Sequence, residues 1–255
     1  MKVVILAGGE GRRLAENTAT IPKPLVEIGG RPILWHILTY YSHFAFNEFI
    51  IALGYKGNMI KKWMTTYRVL EGDISIDTGT GKTVLHNNHA QNWKVDLVDT
   101  GEQTETGGRI KSLSSWIGGE TFMMTFADGL SNIDLRELLH FHRSHGKLAT
   151  VTAVRPPPRF GHLTLEGERV VEFAEKPRIT DRWINGGFFV LEPGVVDYID
   201  DDETAWEREP MEELARDGEL MAYLHDGFWQ CMDTIHDRDL LGELWLNNNA
   251  PWKIW

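Results

Sequence analysis

The sequence is poor in cysteine, in positive charge and in long hydrophobic runs. Its one cysteine, Cys231, cannot form an intramolecular disulfide, which favours a reducing cytoplasm. No apolar run approaches the roughly 20 residues that cross a bilayer, and the opening residues have no secretory pattern. With 26 basic against 37 acidic residues, the net charge of −11 is unlike the broad basic field of a nucleic-acid-binding protein. We therefore expect a cytoplasmic protein that binds neither membranes nor nucleic acid.

A glycine-rich loop follows the first apolar segment. Val3 to Leu6 predicts a buried strand, and three of the four residues at 8 to 11 are glycines. Because glycine has no Cβ, the backbone N–H groups of such a loop can approach a polyphosphate closely. Arg13 adds a planar cation, and Lys23, between two prolines, adds a point charge. The sequence therefore predicts a binding site for a nucleoside triphosphate.

Two better-known glycine motifs do not match. A dinucleotide-binding fingerprint requires a third glycine where this chain has Leu14. The run Gly81-Lys82-Thr83 matches the end of a P-loop, but Ile76 stands where the earlier glycine is required. Short alternating segments flank that run, so we interpret it as a hairpin turn.

Strand-like and helix-like segments alternate along the chain. The predicted strands are Val3 to Leu6, Glu48 to Leu53, Val95 to Val98, Thr121 to Phe126 and Leu148 to Val154. The predicted helices are Pro32 to Phe44, Asn58 to Tyr67, Gly108 to Ile117, Asp134 to His145, Pro210 to Arg216 and Asp237 to Leu246. This alternation predicts an α/β fold with a mostly parallel, Rossmann-like sheet covered by helices. Ligands of such sheets bind beyond the carboxyl ends of the strands.

The 255 residues fit a single domain with a substantial core. We expect a nucleotide-binding core over residues 1–155, with an inserted hairpin region near 68–94. Residues 156–194 contain short strands and turns and predict a smaller mixed β lobe that folds over the cleft to hold a sugar. Residues 195–255 carry the C-terminal helices.

Two aspartates are candidate metal ligands. Asp128 ends an apolar strand and precedes a glycine, and Asp233 follows an aromatic segment. Two carboxylates brought together from distant segments can hold one Mg²⁺ whose other ligands are phosphate oxygens and water. A turn cap is the alternative interpretation for each.

Three further patterns are interpreted as structural. The D-x-D sequence of Asp237 to Asp239 occurs in metal-dependent glycosyltransferases, but here it begins a helical pattern, where acids complement the helix dipole. Cys231 is expected to be a small buried hydrophobe rather than a nucleophile. A solvated helix face, rather than a zinc site, is predicted for His140, His142 and His145.

The glycine loop resembles the N-terminal signature of the sugar-1-phosphate nucleotidylyltransferases. That signature reads L-A-G-G-x-G-[TS]-R-L followed by P-K-P-[ML], which matches Leu6 to Leu14 and Pro22 to Leu25. Arg12 departs from it, since the family usually has Thr or Ser there. Within the family, the chain looks like the glucose-1-phosphate cytidylyltransferases over its whole length, in residues 28–36, 98–101, 106–109, 175–177, 184–189, 226–230 and 250–255.

The resemblance implies Mg²⁺-dependent transfer of CMP from CTP to α-D-glucose 1-phosphate, giving CDP-glucose and diphosphate for CDP-deoxysugar and O-antigen biosynthesis. Arg13 and Lys23 are the implied catalytic residues, and Asp128 and Asp233 the implied metal ligands. Nucleotide binding is implied for Leu6, Ala7, Gly8, Gly9, Glu10, Gly11, Arg12, Arg13, Lys23, Thr104, Thr106, Gly107, Arg109 and Ala127. Sugar-phosphate binding is implied for Glu175, Lys176, Asn185 and Gly186. Because both substrates are anions, the positive charge must be local, from the metal and from Arg12, Arg13, Lys23, Arg109 and Lys176.

Other functions stay open at this point. The same chemistry with UTP or dTTP is the nearest alternative, because nothing in the sequence shows which group reads the base. A catalytically silent nucleotide-sugar binding protein is another, although such a protein would usually have lost Arg13, Lys23 or a metal aspartate, and all are present. A glycosyltransferase would need an acceptor domain, for which little chain remains.

Aromatic residues favour self-association. Ten tryptophans are many for this length, and those near the C-terminus suit a subunit interface as readily as a core: Trp245, Trp252 and Trp255. The inserted region Arg68 to Lys94 lies outside the βα alternation and is a second candidate surface. The resemblance likewise implies a homo-oligomer, with hexamers among the assemblies of the family.

Overall fold

A seven-stranded sheet forms the centre of the protein. The computed structural model describes residues 1–11, 20–87, 89–156, 161–175 and 182–255. Its strands are β1 Lys2–Leu6, β2 Glu27–Ile28, β3 Arg31–Pro32, β4 Glu48–Leu53, β5 Asp73–Asp77, β6 Lys82–His86, β7 Lys94–Asp99, β8 Phe122–Phe126, β9 Gly129–Ser131, β10 Ala149–Val154, β11 His162–Glu166, β12 Arg169–Ala174, β13 Ile184–Leu191, β14 Leu220–His225 and β15 Trp229–Cys231. Its α-helices are α1 Ile33–His43, α2 Gly57–Leu70, α3 Thr106–Ser112, α4 Ser114–Ile117, α5 Leu135–His145, α6 Glu209–Arg216 and α7 Ile235–Leu246. Short 3₁₀ helices span Lys23–Leu25 and Pro193–Tyr198.

The strand order of the central sheet is β14-β10-β13-β8-β1-β4-β7. Strands β8, β1, β4 and β7 run parallel to one another, as do β10 and β14. Only β13 in this sheet is reversed, since it pairs antiparallel with both β8 and β10. The predicted mostly parallel, helix-covered α/β sheet is therefore confirmed.

The order of the strands reverses between β1 and β8. Along the chain, β1, β4 and β7 follow each other outward on one side, whereas β8 returns to the other side of β1. Leu6 is the last residue of β1 and is in register with Ala52 of β4 and Phe126 of β8. A reversal of this kind opens a crevice at the carboxyl ends of the two strands. The glycine loop follows β1 and Asp128 follows β8, so both lie at this crevice.

Alternate side chains of β1 pack into different halves of the core. Val3 and Ile5 belong to one buried cluster, with residues of α1, α2, α5 and α7. Val4 and Leu6 belong to the other, with residues of α3, α4 and α6. A strand that is covered by helices on both faces needs apolar side chains on both, which explains why the first segment is apolar throughout.

One predicted helix is two helices in the structure. The pattern predicted Gly108 to Ile117, but α3 begins two residues earlier and α4 follows after Leu113. The early start has a tertiary cause: the N–H groups of Glu105 and Gly107 donate to the carbonyls of Asp202 and Thr204, at 2.8 and 2.9 Å. That anchor comes from nearly 100 residues away and leaves no local signal.

The described strands between residues 156 and 194 belong to two different sheets. Strands β11 and β12 form an antiparallel hairpin with exposed apolar side chains, of which Phe173 is the most exposed, at 62%. Strand β13, in contrast, lies inside the central sheet, because Phe188 to Leu191 are buried on both faces. The range predicted for a sugar-binding lobe thus also supplies a strand of the central sheet.

The region near 68–94 contains the predicted hairpin, β5 and β6. Gly81 lies in its turn with φ of 72°, and its N–H donates to the Asp77 carbonyl at 2.8 Å. The P-loop-like run therefore begins in an exposed hairpin turn and continues into β6, in agreement with the predicted hairpin. Within the described ranges, no helix has the length and apolar character needed to cross a membrane.

Trp252 belongs to the core. It is fully buried, its indole N–H approaches Nδ1 of His36 at 3.3 Å, and its ring stacks at 6.4 Å from that of Trp245. Burial lowers the pKa of His36 to about 4, so this histidine is neutral at pH 7. Trp252, one of the C-terminal tryptophans considered for an interface, is therefore packed inside its own chain and not exposed for subunit contacts.

Candidate active site

The glycine loop after β1 is fixed by backbone contacts on one side and open on the other. The Ala7 N–H donates to the Ala52 carbonyl at 3.0 Å, and the Gly8 carbonyl accepts from the Tyr55 N–H at 3.0 Å. A Cβ on Gly8 would stand 2.3 Å from the guanidinium carbon of Arg109, so a larger residue there would displace Arg109. A Cβ on Gly9 would have no atom of the described residues within 4 Å. The two glycines therefore serve different purposes: Gly8 admits Arg109, and Gly9 faces the cavity.

Arg109 is buried behind this loop, with 4% of its surface exposed. Its guanidinium donates to the hydroxyl of Thr100 at 2.8 Å and to the Gly8 carbonyl at 3.3 Å. It also donates to the carbonyls of Leu53, Gly101 and Glu102, at 3.1, 2.7 and 3.3 Å. Burial lowers the pKa of Arg109 from its usual value, yet an arginine remains a cation at neutral pH. Sequence reasoning offered Arg109 as a cation for phosphates; the structure adds that this side chain ties together the ends of three neighbouring segments.

A cavity of about 210 Å³ lies in the crevice. It is lined by the residues Leu6, Ala7, Gly8, Gly9, Gly11, Lys23, Pro24, Thr104, Glu105, Thr106, Arg109, Phe126, Ala127 and Asp128. Ten of these were nucleotide-site candidates. Glu10 and Gly107 were candidates too but do not line the cavity. Arg12 and Arg13 lie outside the described residues.

Gly107 has a structural reason to be glycine. A Cβ there would stand 2.6 Å from the Thr204 carbonyl oxygen, which accepts the Gly107 N–H. Beside it, the Thr106 hydroxyl donates to Glu207 at 2.6 Å and accepts from the Trp206 N–H at 2.9 Å. These contacts fix the start of α3 at the wall of the cavity. Glu207 had no signal in the sequence that distinguished it from other exposed acids.

Lys23 joins the two candidate metal aspartates. Its ammonium lies 2.7 Å from Oδ2 of Asp128 and 2.8 Å from Oδ1 of Asp233. Pro22 and Pro24 flank it in the chain, and the 3₁₀ helix Lys23–Leu25 holds its backbone. Burial alone would lower the pKa of Lys23, but the two carboxylates outweigh burial and raise the pKa above its usual value. Lys23 is therefore a stable cation.

A short antiparallel ladder brings the two aspartates together across 105 positions of sequence. Strands β9 and β15 pair with Gly129 opposite Cys231, and the Met232 N–H donates to the Asp128 carbonyl at 2.8 Å. Asp128 precedes this ladder on one strand and Asp233 follows it on the other. The prediction that distant segments place two carboxylates together thus has a defined structural cause.

Asp237 holds the turn that carries Asp233. It caps α7 in a capping box with Thr234, and it also accepts from the Asp233 N–H at 3.2 Å and from Gln230 at 2.9 Å. The structural interpretation of the D-x-D sequence is therefore correct for Asp237.

Burial, together with the neighbouring carboxylates, raises the pKa of the Cys231 thiol to about 12, so this thiol stays protonated and unreactive at neutral pH.

A second cavity, of about 300 Å³, meets the first at Phe126 and Asp128. Its lining comprises Thr125, Phe126, Asp128, Gly129, Asn185, Gly186, Gly187, Glu207, Trp229, Cys231 and Asp233. Two of the sugar-phosphate candidates, Asn185 and Gly186, are among them. The side chain of Asn185 accepts from the Gly187 N–H at 2.8 Å, and the Trp229 indole donates to the Gly186 carbonyl at 2.7 Å.

The other two sugar-phosphate candidates are not placed in this cavity. Glu175 is exposed just after β12 and does not line it. Lys176 lies outside the described residues. The structure therefore brings Asn185 and Gly186, from the start of β13, to the same cleft as Asp128, and leaves the contribution of residues 175–176 a prediction.

The carboxylates suit a divalent cation. Their two oxygens converge on one point, which a positively charged nitrogen occupies here. Within the described ranges, no group of three or more His, Cys, Asp or Glu side chains could hold a metal ion. Mg²⁺ is usually bound through one or two carboxylates, with substrate phosphates and water completing the shell. Two carboxylates are therefore a donor set compatible with Mg²⁺.

Two of the histidines of α5 are less exposed to solvent than predicted. They were predicted to lie on a solvated face, but His142 is buried, with Nδ1 at 2.8 Å from the Thr150 hydroxyl and Nε2 at 3.1 Å from Glu192. His145 contacts the same hydroxyl at 2.7 Å. The solvated interpretation is wrong for His142, because α5 packs that side chain against β10.

The sequence profile of the nucleotidyl transferase family matches residues 2–234. Glucose-1-phosphate cytidylyltransferase of Salmonella typhi is 48% identical over the full length of both chains. Probable glucose-1-phosphate cytidylyltransferase of Bacillus subtilis is 44% identical, also over the full length of both. Among solved structures, HddC of Yersinia pseudotuberculosis in complex with GMP-PN aligns with a TM-score of 0.70 and 23% identity, over 96% of this chain and 99% of that one. At that identity the structural likeness bears on the fold alone.

Proposed function

The chain belongs to the nucleotidyl transferase family, and from that premise we propose that it transfers CMP from CTP to α-D-glucose 1-phosphate, releasing diphosphate. Support for these two substrates comes from the 48% identity, over both full lengths, to the Salmonella typhi cytidylyltransferase. The observation that carries the proposal is the meeting of two cavities at Asp128, beside the partly buried ammonium of Lys23. One cavity is formed around the glycine loop, and the other has polar groups suited to a sugar.

In this proposal the nucleotide occupies the glycine-loop cavity, and the sugar phosphate occupies the cavity of Asn185 and Gly186. An oxygen of the sugar phosphate bonds to the α-phosphorus of CTP, and the bond from that phosphorus to diphosphate breaks. No general base is needed, because a phosphate monoester with a second pKa of about 6 is mostly dianionic at pH 7. The protein contributes positioning and charge stabilisation.

Each charged residue has a defined part in this scheme. Lys23 stabilises the α-phosphate, and Asp128 and Asp233 hold Mg²⁺. Bound Mg²⁺ supplies positive charge to the phosphate oxygens. Arg13 stabilises the departing diphosphate and Lys176 orients the attacking phosphate; both assignments come from the family resemblance. Arg109 acts from behind the loop, by holding the Gly8 carbonyl.

The proposal extends to the setting of the enzyme. CDP-glucose is a precursor suited to CDP-deoxysugar and O-antigen biosynthesis in the cytoplasm. A homo-oligomer is part of the proposal, supported by exposed apolar side chains on the β5–β6 hairpin, such as Ile76 at 58% and Val84 at 41%. Because Trp252 is buried within its own chain, this hairpin region is the stronger candidate for subunit contacts.

A diphosphate-release assay with Mg²⁺ tests the activity. We would combine CTP, UTP, dTTP and GTP with glucose 1-phosphate and other sugar 1-phosphates, and use Asp128→Asn as the inactive control. The proposal expects the fastest release with CTP and glucose 1-phosphate. Faster release with UTP or dTTP than with CTP would show that the alternative nucleotide is the preferred substrate. Nucleotide binding without release for any pair would identify a silent binding protein.

A further inference from the structure

One cation already occupies the point on which Asp128 and Asp233 converge. The Lys23 nitrogen lies within 2.8 Å of an oxygen from each, and only 11% of the Lys23 side chain is exposed. Hydrogen bonds from Leu25 N–H to Pro22 and from Val26 N–H to Lys23, at 2.8 and 3.0 Å, fix the backbone on either side. Rotation of the long lysine side chain can move this charge without disturbing that turn.

A divalent ion and this ammonium cannot share the two oxygens. Mg²⁺ bonds carboxylate oxygens at about 2.0–2.1 Å, which is closer than the ammonium stands. Two cations held a few Å apart in a partly buried site repel each other strongly. The carboxylates can therefore serve either Lys23 or a divalent ion, and the ammonium must find another anion before the ion enters.

The triphosphate is that anion. Lys23 lines the same cavity as Gly9 and Gly11, so its side chain needs only to turn from the carboxylates towards a ligand of the glycine loop. A phosphate oxygen replaces the carboxylate oxygen as its acceptor. Asp128 and Asp233 then lose the ammonium that they share, so a divalent ion no longer competes with it for their oxygens.

We propose that Lys23 is the resident counter-ion of the metal site in the nucleotide-free enzyme, and that a divalent ion enters only with the nucleoside triphosphate that draws Lys23 away. This inference rests on the proposed metal site at Asp128 and Asp233. It assigns Lys23 two positions: between the carboxylates before binding, and on the phosphate afterwards. Metal and nucleotide then strengthen each other's binding by the same factor.

Calorimetric titration of Mn²⁺ into the nucleotide-free protein tests this exchange without turnover. Wild type is compared with Lys23→Met, with Lys23→Gln as a second neutral variant, and with Lys62→Met as a matched control that removes an exposed lysine on α2. If the bridged state is dominant, removing the competitor lowers the dissociation constant for Mn²⁺ by about tenfold or more. Lys62→Met should bind Mn²⁺ as wild type does. Mn²⁺ should likewise raise the unfolding temperature of the Lys23 variants and leave that of the wild type unchanged.

A second titration separates this inference from the metal site itself. CTP is titrated in EDTA and as the Mn²⁺ complex, without sugar phosphate, into wild type and Asp128→Asn. The metal site is supported if the Mn²⁺ complex binds more tightly than CTP in EDTA to wild type but not to Asp128→Asn. If, in addition, both Lys23 variants bind Mn²⁺ with the affinity of wild type, the exchange is overturned and the metal site stands. If the Mn²⁺ complex of CTP binds wild type no more tightly than CTP does in EDTA, the proposed metal site is wrong. Tight binding of Mn²⁺ to nucleotide-free wild type would overturn the exchange even if the Lys23 variants failed to fold.

Discussion

Substituting alanine for Gly8 or Gly9 should have opposite consequences, although the residues are neighbours. At position 8 the new methyl carbon would stand 2.3 Å from the guanidinium carbon of Arg109. Carbon atoms pack at about 3.5–4.0 Å, so Arg109 has to move by more than about 1 Å. At position 9 the methyl group meets no described atom within 4 Å and projects towards the cavity.

The cost at position 8 follows from what Arg109 holds. Its five hydrogen bonds span 2.7 to 3.3 Å, so a shift of that size breaks most of them. Hydrogen bonds to charged groups each contribute about 1.5–3 kcal/mol, and the losses are not additive. We expect Gly8→Ala to lower the free energy of unfolding by about 3 kcal/mol. For a chain of this size, that corresponds to a fall in Tm of roughly 6–12 °C.

Gly9→Ala is the matched control. Its unfolding free energy should stay within about 1 kcal/mol of wild type, because Gly9 is not in the positive-φ region and the space is open. Its KM for CTP should rise, since the methyl group narrows the glycine-loop cavity. Thermal unfolding by circular dichroism and diphosphate-release kinetics on both variants check the pair. A Gly8→Ala protein as stable as wild type would refute the role given to Arg109, and equal losses in both variants would refute the distinction between the two glycines.

Four further predictions concern the site and its surroundings. Lys23→Ala should abolish turnover in diphosphate release while circular dichroism shows a retained fold, and near-normal kcat would remove Lys23 from catalysis. Asp128→Asn and Asp233→Asn should each lose activity heavily, with the double variant little worse than either, because they share one ion; independent, multiplying losses would contradict a shared site. Cys231, whose pKa is raised to about 12, should react slowly with iodoacetamide at pH 8 in the native protein and quickly after denaturation, whereas fast native alkylation would contradict its protonated state. Light scattering at micromolar concentration should give an oligomeric mass, and a monomeric mass would reject the interface proposed for residues 68–94.

Much of the fold was accessible from local patterns. The apolar run of β1, the glycine loop after it and the βα alternation are short-range features, and they correctly predict a mostly parallel sheet. The structure has a cavity beside the glycine loop, and its ligand stays a prediction. The placement of β13 was not accessible in this way. Its residues look like a strand of a peripheral lobe, and only pairing with both β8 and β10 places them in the sheet.

The candidate site likewise has features that the sequence could predict and features that it could not. Lys23 and the two aspartates stand out by residue type and by resemblance, but the β9–β15 ladder that joins Asp128 to Asp233 is a long-range pairing of three-residue strands. The function of Arg109 was harder to predict still, because its acceptors are mainly backbone carbonyls, which every residue possesses. His142 shows the same limit: the spacing of α5 suggested solvent, and the contact with Thr150 comes from tertiary packing.

The most direct test of the proposed chemistry follows the phosphate oxygens of the sugar. Glucose 1-phosphate labelled with ¹⁸O in its three non-bridging phosphate oxygens is incubated with CTP, Mg²⁺ and the protein, and the products are analysed by ³¹P NMR and mass spectrometry. If a sugar-phosphate oxygen attacks the α-phosphorus, all of the label appears in CDP-glucose, one labelled oxygen bridges the two phosphorus atoms, and the diphosphate carries none. Label in the diphosphate, or consumption of CTP without CDP-glucose, would contradict the account.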